Sequence, residues 1–481
     1  MASNPTTPQL VFPHAVESLQ ADRGAIRGQL RDTYNRLHSL AHDAAWVHSE
    51  VAAAYPDFPL VANQRAGAWY VKPSGEQAHA YFKSTDGHAG EHNFNLRRAN
   101  LALLPLIRER GGIVLVDSTR RGKRFPDALS KTIPLWCATL NRTRELILTP
   151  ATDNSSVSLE VWRDQGRLFT SPQAVGRSEH AQIEAKVEKW ANELASSAYD
   201  LSSLKALDRP LRPFFVSPAS TLAHSPASSF DACYAVVCAS ASKLAEEADG
   251  LERAEGFTYV QGSGDDHEAW SRGLTPPVFW RHADEILAAS RDDIDEVIDR
   301  ILAAKGDPAT SPASTPIRIR QTGLYLRFAV PTDESPTSDL FDISISTSKT
   351  PSPSAHSSQT SHLSAKPGKA GYNSFFALDY LEPVLSNASV ALRDARGVCI
   401  SVEKGEAQSE ANDLGVAVSL ILLTRLYDDD GDLRQLDTPT PPITKDLIRT
   451  RLQWILEAFP TVNPSRAALN RVNDFLMSKR R

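Results

Sequence analysis

Apolar and polar positions along this chain follow two periods, and the change from one to the other marks out its elements. Ile113–Val116, set after Gly111-Gly112, is apolar without a break, as are Phe214–Val216 and Tyr234–Cys238. Short continuous runs of this kind mark strands buried on both faces of a parallel sheet. Phe257–Val260 reads as a further strand, residues 58–72 as strand and turn, and Tyr81-Phe82 as a strand end. A period near 3.6 predicts helices over 17–51, with Ile26, Leu30, Tyr34, Leu37 and Leu40 on one side, and over 96–107. Helices are also predicted from Pro126 through Leu140, over 179–197, and up to Ala304 with Ile294, Val297, Ile298, Ile301 and Leu302 on one face. Val157–Trp162, followed by Asp164-Gln165-Gly166, predicts a hairpin.

The second half repeats the alternation on a smaller scale. Residues 317–330 and 341–345 read as strands, 381–392 as a helix, 397–400 as a strand, and 414–426 as an apolar helix. Amphipathic helices near 443–458 and 464–478 finish the chain. KGDPATSPASTP at 305–316 reads as an interdomain linker. Residues 346–370 are rich in Ser, Thr, Pro and Lys and read as a disordered insertion. The chain has 481 residues, more than one ordinary domain holds. The expected fold is therefore α/β in two domains. An N-terminal α/β catalytic domain covers 1–305, 306–314 is the linker, and a C-terminal α/β domain covers 315–481, with its insertion near 346–370.

Charge sharpens this picture. The net charge is −6. Residues 71–144 alone carry 13 Lys/Arg against 6 Asp/Glu. A basic segment in an acidic chain is an electrostatic footprint for phosphates, of a small molecule or of RNA. The four cysteines, Cys137, Cys233, Cys238 and Cys399, form no CxxC pair and match no zinc spacing. They fit a reduced intracellular compartment, and the expected location is the cytoplasm, with the nucleus also open. Residues 1–25 lack the apolar core of a signal peptide, and no window approaches the roughly 18 apolar residues of a membrane span. No membrane and no obligatory protein partner are expected.

The candidate chemistry lies in two loops. Asp117, Ser118, Thr119, Arg120, Arg121, Gly122, Lys123 and Arg124 follow the first buried strand: two hydroxyls, four cations, a glycine and a carboxylate. A strand–loop–helix unit puts this loop at the carboxyl edge of the sheet, where α/β proteins bind ligands. Its composition suits a phosphorylated ligand with magnesium. The second loop reads Gly262, Ser263, Gly264, Asp265, Asp266, His267, Glu268. Its glycines can wrap a phosphate or ribose, and its acids can hold a metal or move a proton. His88 and His92 are four apart, but not in the HExxH order of zinc hydrolases, and metal ligation there is not expected. Lys83, Arg97 and Arg98 suit an RNA backbone. The strand and loop from Cys399 follow the layout of tyrosine and dual-specificity phosphatases. However, Val398 precedes the cysteine, Gly405 stands where the phosphate-binding Arg belongs, and Glu403 and Glu406 repel phosphate.

YFKSTDGH (81–88), FNLRR (94–98), VDSTRRGKRFPDALSKT (116–132), CATLNR (137–142) and YVQGSGDDHEAWSRGLTP (259–276) stand in one order along the chain. Together they resemble the initiator tRNA 2′-O-ribosylphosphate transferases of fungi and plants. The resemblance spans most of 60–305 and continues in a phosphatase-like tail from about 315. It implies transfer of 5-phosphoribose from phosphoribosyl pyrophosphate (PRPP) to the ribose 2′-OH of purine 64 in the T stem of initiator methionine tRNA. The added phosphate would block elongation-factor binding and reserve the tRNA for initiation.

On that resemblance, Asp117 to Arg124 with Gly262, Ser263 and Gly264 form the expected PRPP site. Asp117 and Asp265 are the expected magnesium ligands. Asp265 or Asp266 would take the 2′-OH proton, with His267 as the other base. Lys83, Arg97 and Arg98 would hold tRNA, and the phosphatase-like tail is expected to be a docking or scaffolding module. Two other readings stand beside this one: a phosphatase acting through Cys399, and a non-catalytic factor that binds initiator tRNA.

Overall fold

The computed structural model describes residues 28, 30–64, 66–73, 78, 80–120, 122–148, 153–245, 251–254, 256–303, 315–330, 340–348, 355–356, 360–405, 407–435, 442–459 and 462–478. The chain folds as two compact units. One comprises Met1–Phe94, Leu103–Trp190 and Leu207–Gly306; the other comprises Asn95–Ala102, Ala191–Ala206 and Asp307–Arg481. The expected linker at 306–314 lies outside the described residues.

The first unit is built on a four-stranded parallel sheet ordered β1 (Leu60–Ala62), β2 (Gly112–Asp117), β4 (Tyr234–Ser240), β3 (Leu211–Val216). Every residue of β2 and β4 is buried, as their unbroken apolar runs require. Val114 and Val116 face a core shared with Leu37 and Leu40 of α1 (Thr33–Trp46), with Trp69, and with Ile294 and Ile298 of α8 (Ile294–Ala303). Between β1 and β2 stands α2 (Leu104–Arg110). After β2 a turn of π-helix at Ala128–Thr132 leads into α3 (Ile133–Ile147), which packs on β3. Further helices are α4 (Leu159–Gly166), α5 (Arg177–Ala195, of which Arg177–Trp190 belongs to this unit), α6 (Pro276–Arg281) and α7 (Ala283–Ala288).

β5 (Leu251–Ala254) and β6 (Phe257–Val260) form an antiparallel hairpin that packs on α1. A polar stripe on that helix makes the join. Asn35 Oδ1 accepts from Thr258 N–H at 3.0 Å, and Ser39 Oγ accepts from Val260 N–H at 2.9 Å. Asp43 accepts from the Tyr259 hydroxyl at 3.0 Å. Residues four apart share one helix face, so one stripe completes a strand edge that would otherwise be buried with open donors.

The second unit carries a six-stranded sheet ordered β10 (Ala355–His356), β11 (Thr360–Ala365), β9 (Leu340–Thr347), β12 (Gly397–Glu403), β8 (Leu324–Val330), β7 (Ile317–Arg318). The four central strands are parallel, and both edge strands are antiparallel. The helices are α9 (Lys369–Phe375), α10 (Leu378–Arg393), α11 (Gln408–Leu426), α12 (Lys445–Ala458) and α13 (Arg466–Met477). α11 is buried from Asp413 through Thr424 and packs against β12 and β9. Among the described residues no helix is long and apolar enough to cross a membrane.

Three expectations are corrected. The expected hairpin at 157–166 is instead α4: Ser158 Oγ caps the helix by accepting from Val161 N–H, and Trp162 is buried under the Arg144 guanidinium at 4.1 Å. The helix expected over 96–107 is three pieces, 3-10 turns at Leu96–Arg98 and Leu101–Leu103 and then α2. Asn100 breaks it with φ 49°. The low-complexity stretch 346–370 contributes β10, β11 and the end of β9. Ser361, Leu363 and Ala365 face inward at a period of two while β11 pairs with β9, so small and apolar residues suffice despite the polar composition. Residues 349–354 and 357–359 lie outside the described residues.

Asp43 gives this fold a pH dependence. Burial pushes its carboxyl up to about 6, although His42 and Tyr259 pull the other way. A folded-state value above the unfolded one means that the folded form holds the proton more tightly. The contribution is therefore fully present below about pH 4 and lost as pH rises through about 6, a fall of about 3 kcal/mol. Asp43→Asn is expected to be more stable than the parent at pH 7.5 and equal to it at pH 4. Urea denaturation at both values checks this, and identical pH profiles for the two proteins would overturn it.

Candidate active site

The carboxyl ends of β1 and β2 open into a cleft of about 450 Å3. Its floor is Asp117, the last residue of β2, and a buried side chain holds that carboxylate in place. Asn63, just after β1, donates from Nδ2 to Asp117 Oδ2 at 2.7 Å and to Phe82 O at 2.9 Å, and its Oδ1 accepts from Phe82 N–H at 2.8 Å. Ser118 N–H donates to Asp117 Oδ1 at 2.9 Å. Close backbone approach completes the floor: a Cβ on Gly67 would lie 2.1 Å from Val116 O.

The second loop folds directly onto the first. Gln261 donates from Nε2 to the carbonyls of Arg120 (3.1 Å) and Lys123 (2.8 Å). Gly262 has φ +71°, and a Cβ there would lie 2.6 Å from Thr119 O. Both the conformation and the contact require glycine. Ser263 is buried and donates from Oγ to Val260 O at 2.7 Å. Gly264 N–H donates to the Tyr70 hydroxyl at 2.9 Å, and burial raises the Tyr70 pKa well above the ordinary phenol value. Arg36 of α1 donates from Nη1 to the carbonyls of Ser263 (2.9 Å) and Asp265 (3.0 Å), and Trp270 donates to Asp265 O at 3.1 Å. With its backbone gripped from behind, the loop presents its side chains to the cleft.

Arg120 joins the two loops through charge. Its Nη2 donates to Asp266 Oδ1 at 2.6 Å, and its Nε lies 3.7 Å from Asp265 Oδ2. Asp266 is held left-handed at φ 49°, a strained conformation for a non-glycine residue. His267 lies beside Trp69, with ring centroids 5.9 Å apart.

Ten of the sequence-derived candidates line the cleft: Lys83, Asp117, Ser118, Thr119, Arg120, Lys123, Gly264, Asp265, Asp266 and His267. Gly122, Gly262 and Ser263 stand outside its lining, the last two as parts of the supporting turn. Arg124 turns away and donates to Gln173 Oε1 at 2.6 Å. Arg121 lies outside the described residues. Arg97 and Arg98 belong to the other compact unit, in the turn Leu96–Arg98.

The structure adds residues that the sequence did not single out. Asp127 lines the cleft and gathers three groups: Lys123 Nζ at 3.1 Å, Lys131 Nζ at 3.4 Å and His88 Nε2 at 3.8 Å. Lys131 also reaches Glu179 at 2.8 Å, and buried His92 donates from Nε2 to the same Glu179 oxygen at 3.1 Å. Burial lowers the Lys131 pKa, but the bond to Glu179 and the Asp127 charge outweigh it, and the net shift is upward. Glu179 moves down, because Lys131 and His92 overcome its burial. Charged and hydroxyl side chains at 127–132 inside an apolar helical pattern were the available signal. Asn63 and Arg36 carried no signal in the sequence, and Gln261 none beyond its place in the 259–276 motif.

In the second unit, Cys399 lies inside β12 and not in a loop. It is buried, and burial pushes its thiol up to about 11. A protonated thiol within a sheet cannot act as a nucleophile. β12 ends at Glu403, and α11 begins at Gln408. From Val402 to Gln408 this connection offers neither a thiol nor a guanidinium.

Two family models match the chain. One, described as the Rit1 N-terminal domain, matches residues 26–303, and the other, described as the Rit1 DUSP-like domain, matches residues 359–476. The chain is 36% identical over 467 residues to an uncharacterized protein of Schizosaccharomyces pombe, covering 94% of this chain and 96% of that one. It is 30% identical over 508 residues to a tRNA A64-2′-O-ribosylphosphate transferase of Saccharomyces cerevisiae, covering 94% and 93%. No solved structure matches it.

Asn63→Ala leaves the buried Asp117 carboxylate and both Phe82 backbone groups short of partners. A loss of about 2–4 kcal/mol is expected in the unfolding of this unit, read by chemical denaturation. An unchanged midpoint would mean that the Asn63 bonds do not set the floor.

Proposed function

The chain belongs to the Rit1 family, and on that premise we propose that it is a tRNA 2′-O-ribosylphosphate transferase. In this reading it moves 5-phosphoribose from PRPP to the ribose 2′-OH of purine 64 of initiator methionine tRNA and releases pyrophosphate. One observation carries the reading: a cation-rich loop and a run of carboxylates, about 140 residues apart in sequence, face each other across one cleft and share Arg120.

Glycosyl transfer passes through an oxocarbenium-like centre. The bond from C1 of the phosphoribose to pyrophosphate breaks as a bond from C1 to the 2′ oxygen forms. Pyrophosphate leaves with the electron pair, and the 2′-OH proton must go to a base. Arg120 and Lys123 take the departing charge. In the free protein each is held by a carboxylate, Arg120 by Asp266 and Lys123 by Asp127. Ligand binding exchanges those partners: the cations turn to phosphate, and Asp266 is released as it is needed. Asp266, 55% exposed at the side chain, then takes the 2′-OH proton, with His267 next to it.

Among the described residues no three His, Cys, Asp or Glu side chains converge as a metal cage. The donors at the cleft are carboxylates, and these fit magnesium, which keeps waters and substrate phosphates among its ligands. Asp117 and Asp265 would hold it, and when bound it supplies charge neutralisation to the pyrophosphate. Lys83, at the cleft edge, would meet the tRNA backbone.

Labelled PRPP incubated with total tRNA and magnesium is expected to label one ribose of initiator tRNA. Arg120→Ala and Lys123→Ala are expected to lower turnover by about 100-fold or more. Asp266→Asn should do the same while pyrophosphate still binds. Tight tRNA binding without any label transfer would overturn the enzyme reading in favour of a binding factor.

A further inference from the structure

Several arginines of the first unit are neutralised by close acids. Arg142 pairs with Glu145 and Glu188, Arg144 with Asp153, Arg272 with Asp299, Arg291 with Asp32 and Arg300 with Glu285, each within 3 Å. Along the outer edge of the sheet, beside β3, the arrangement differs. Arg212 donates to the neutral amide oxygen of Gln165, and Arg124 to that of Gln173. Arg212 lies over Phe169 at 4.4 Å and over Phe214 at 5.2 Å. Arg167 lies over the same Phe169 ring at 5.1 Å, with its nearest carboxylate, Asp164, at 3.9 Å.

Two guanidiniums thus share one aromatic ring, and a third is fixed by an amide. Stacking and amide bonds orient an arginine without cancelling its charge, which leaves planar N–H edges for another anion. The strip also runs on from the cleft. Lys123 is in the cleft lining, Arg124 follows it in the chain, and Phe125 meets Phe215 of β3 edge-on at 5.9 Å.

We propose that this strip, Arg124, Arg167 and Arg212 braced on Phe169 and Phe214, is the surface that holds the RNA phosphate backbone beside the cleft. RNA is the occupant that the observations favour. Arg124 and Arg212 bond neutral amides and Arg167 has only a loose acid at 3.9 Å, the set lies along β3 at the sheet edge, and Arg124 adjoins Lys123 of the cleft where an RNA hydroxyl must arrive. The aromatic rings are covered by guanidinium, so the strip reads backbone and not base, as phosphate contacts do. The inference rests on the transferase reading for its RNA substrate but has a readout of its own.

The test is the double variant Arg167→Gln/Arg212→Gln, with the exposed single reversal Arg167→Glu as a second variant that leaves the braced Arg212 intact. Direct binding of initiator tRNA is measured between 50 and 200 mM salt, and label transfer is measured with each substrate varied. The expected result for the double variant is weaker tRNA binding by about 10-fold or more and a salt slope smaller by about 1.5. KM for tRNA should rise while kcat and KM for PRPP stay within about twofold. Arg167→Glu should weaken tRNA binding in the same direction. Wild-type affinity and wild-type salt slope in both variants would overturn the strip. Failure of label transfer by the unmodified protein would overturn the transferase reading alone, because the binding arm needs no PRPP.

Discussion

Everything at the cleft depends on one loop resting its backbone on another. Gln261 bonds the carbonyls of Arg120 and Lys123, and Gly262 presses against Thr119 O. The partners are about 140 residues apart, so the contact forms only when the sheet, the β5–β6 hairpin and α1 are all in place. Arg36 closes the same arrangement from behind by holding the carbonyls of Ser263 and Asp265. Buried polar groups that are fully paired fix one geometry and tolerate few others. The acidic side chains therefore owe their positions to bonds made by their backbone, and their carboxylates face Arg120 across the cleft.

Much of this was legible in the sequence, for a physical reason. β2 and β4 are buried on both faces, so their apolar runs carried the parallel sheet and its carboxyl-edge loops. The two loops stood out through charge and glycine, and the motifs that carry the family resemblance joined them. The misses follow the limits of pattern. Val157, Leu159 and Val161 alternate like a strand, but a serine cap and one buried tryptophan decide for a helix. Thr360–Ala365 looks polar, yet it needs only small residues to pair beside β9. Asn63, Arg36 and Gln261 act through tertiary hydrogen bonds of individual side chains, which leave no periodicity. Asp127 and Lys131 sit at helical spacing, where an ion pair and a solvated face read alike.

The second unit keeps a parallel sheet and a buried helix without the reactive groups that such a strand–loop–helix can carry. Its polar investment lies elsewhere. Arg327 donates to Ser401, which in turn bonds Asp342, and all three are buried across adjacent strands. A network of that kind fixes strand register. This unit thus matches its family by sequence, while its one cysteine lies buried within a strand.

The pairing of loop cations with carboxylates bears on what the cleft refuses. Arg120 and Lys123 already have anions, Asp266 and Asp127, at contact distance. Orthophosphate, a nucleotide or any abundant cellular anion must displace a partner that is tethered and always present. A small monoanion brings too little charge to win that contest at both positions. A ligand carrying several phosphates together with a divalent ion satisfies the displaced carboxylates and the released cations at once. The resting ion pairs are solvent-exposed at their cations and so weak, and they bias the cleft toward ligands that bring their own cation without closing it to other anions.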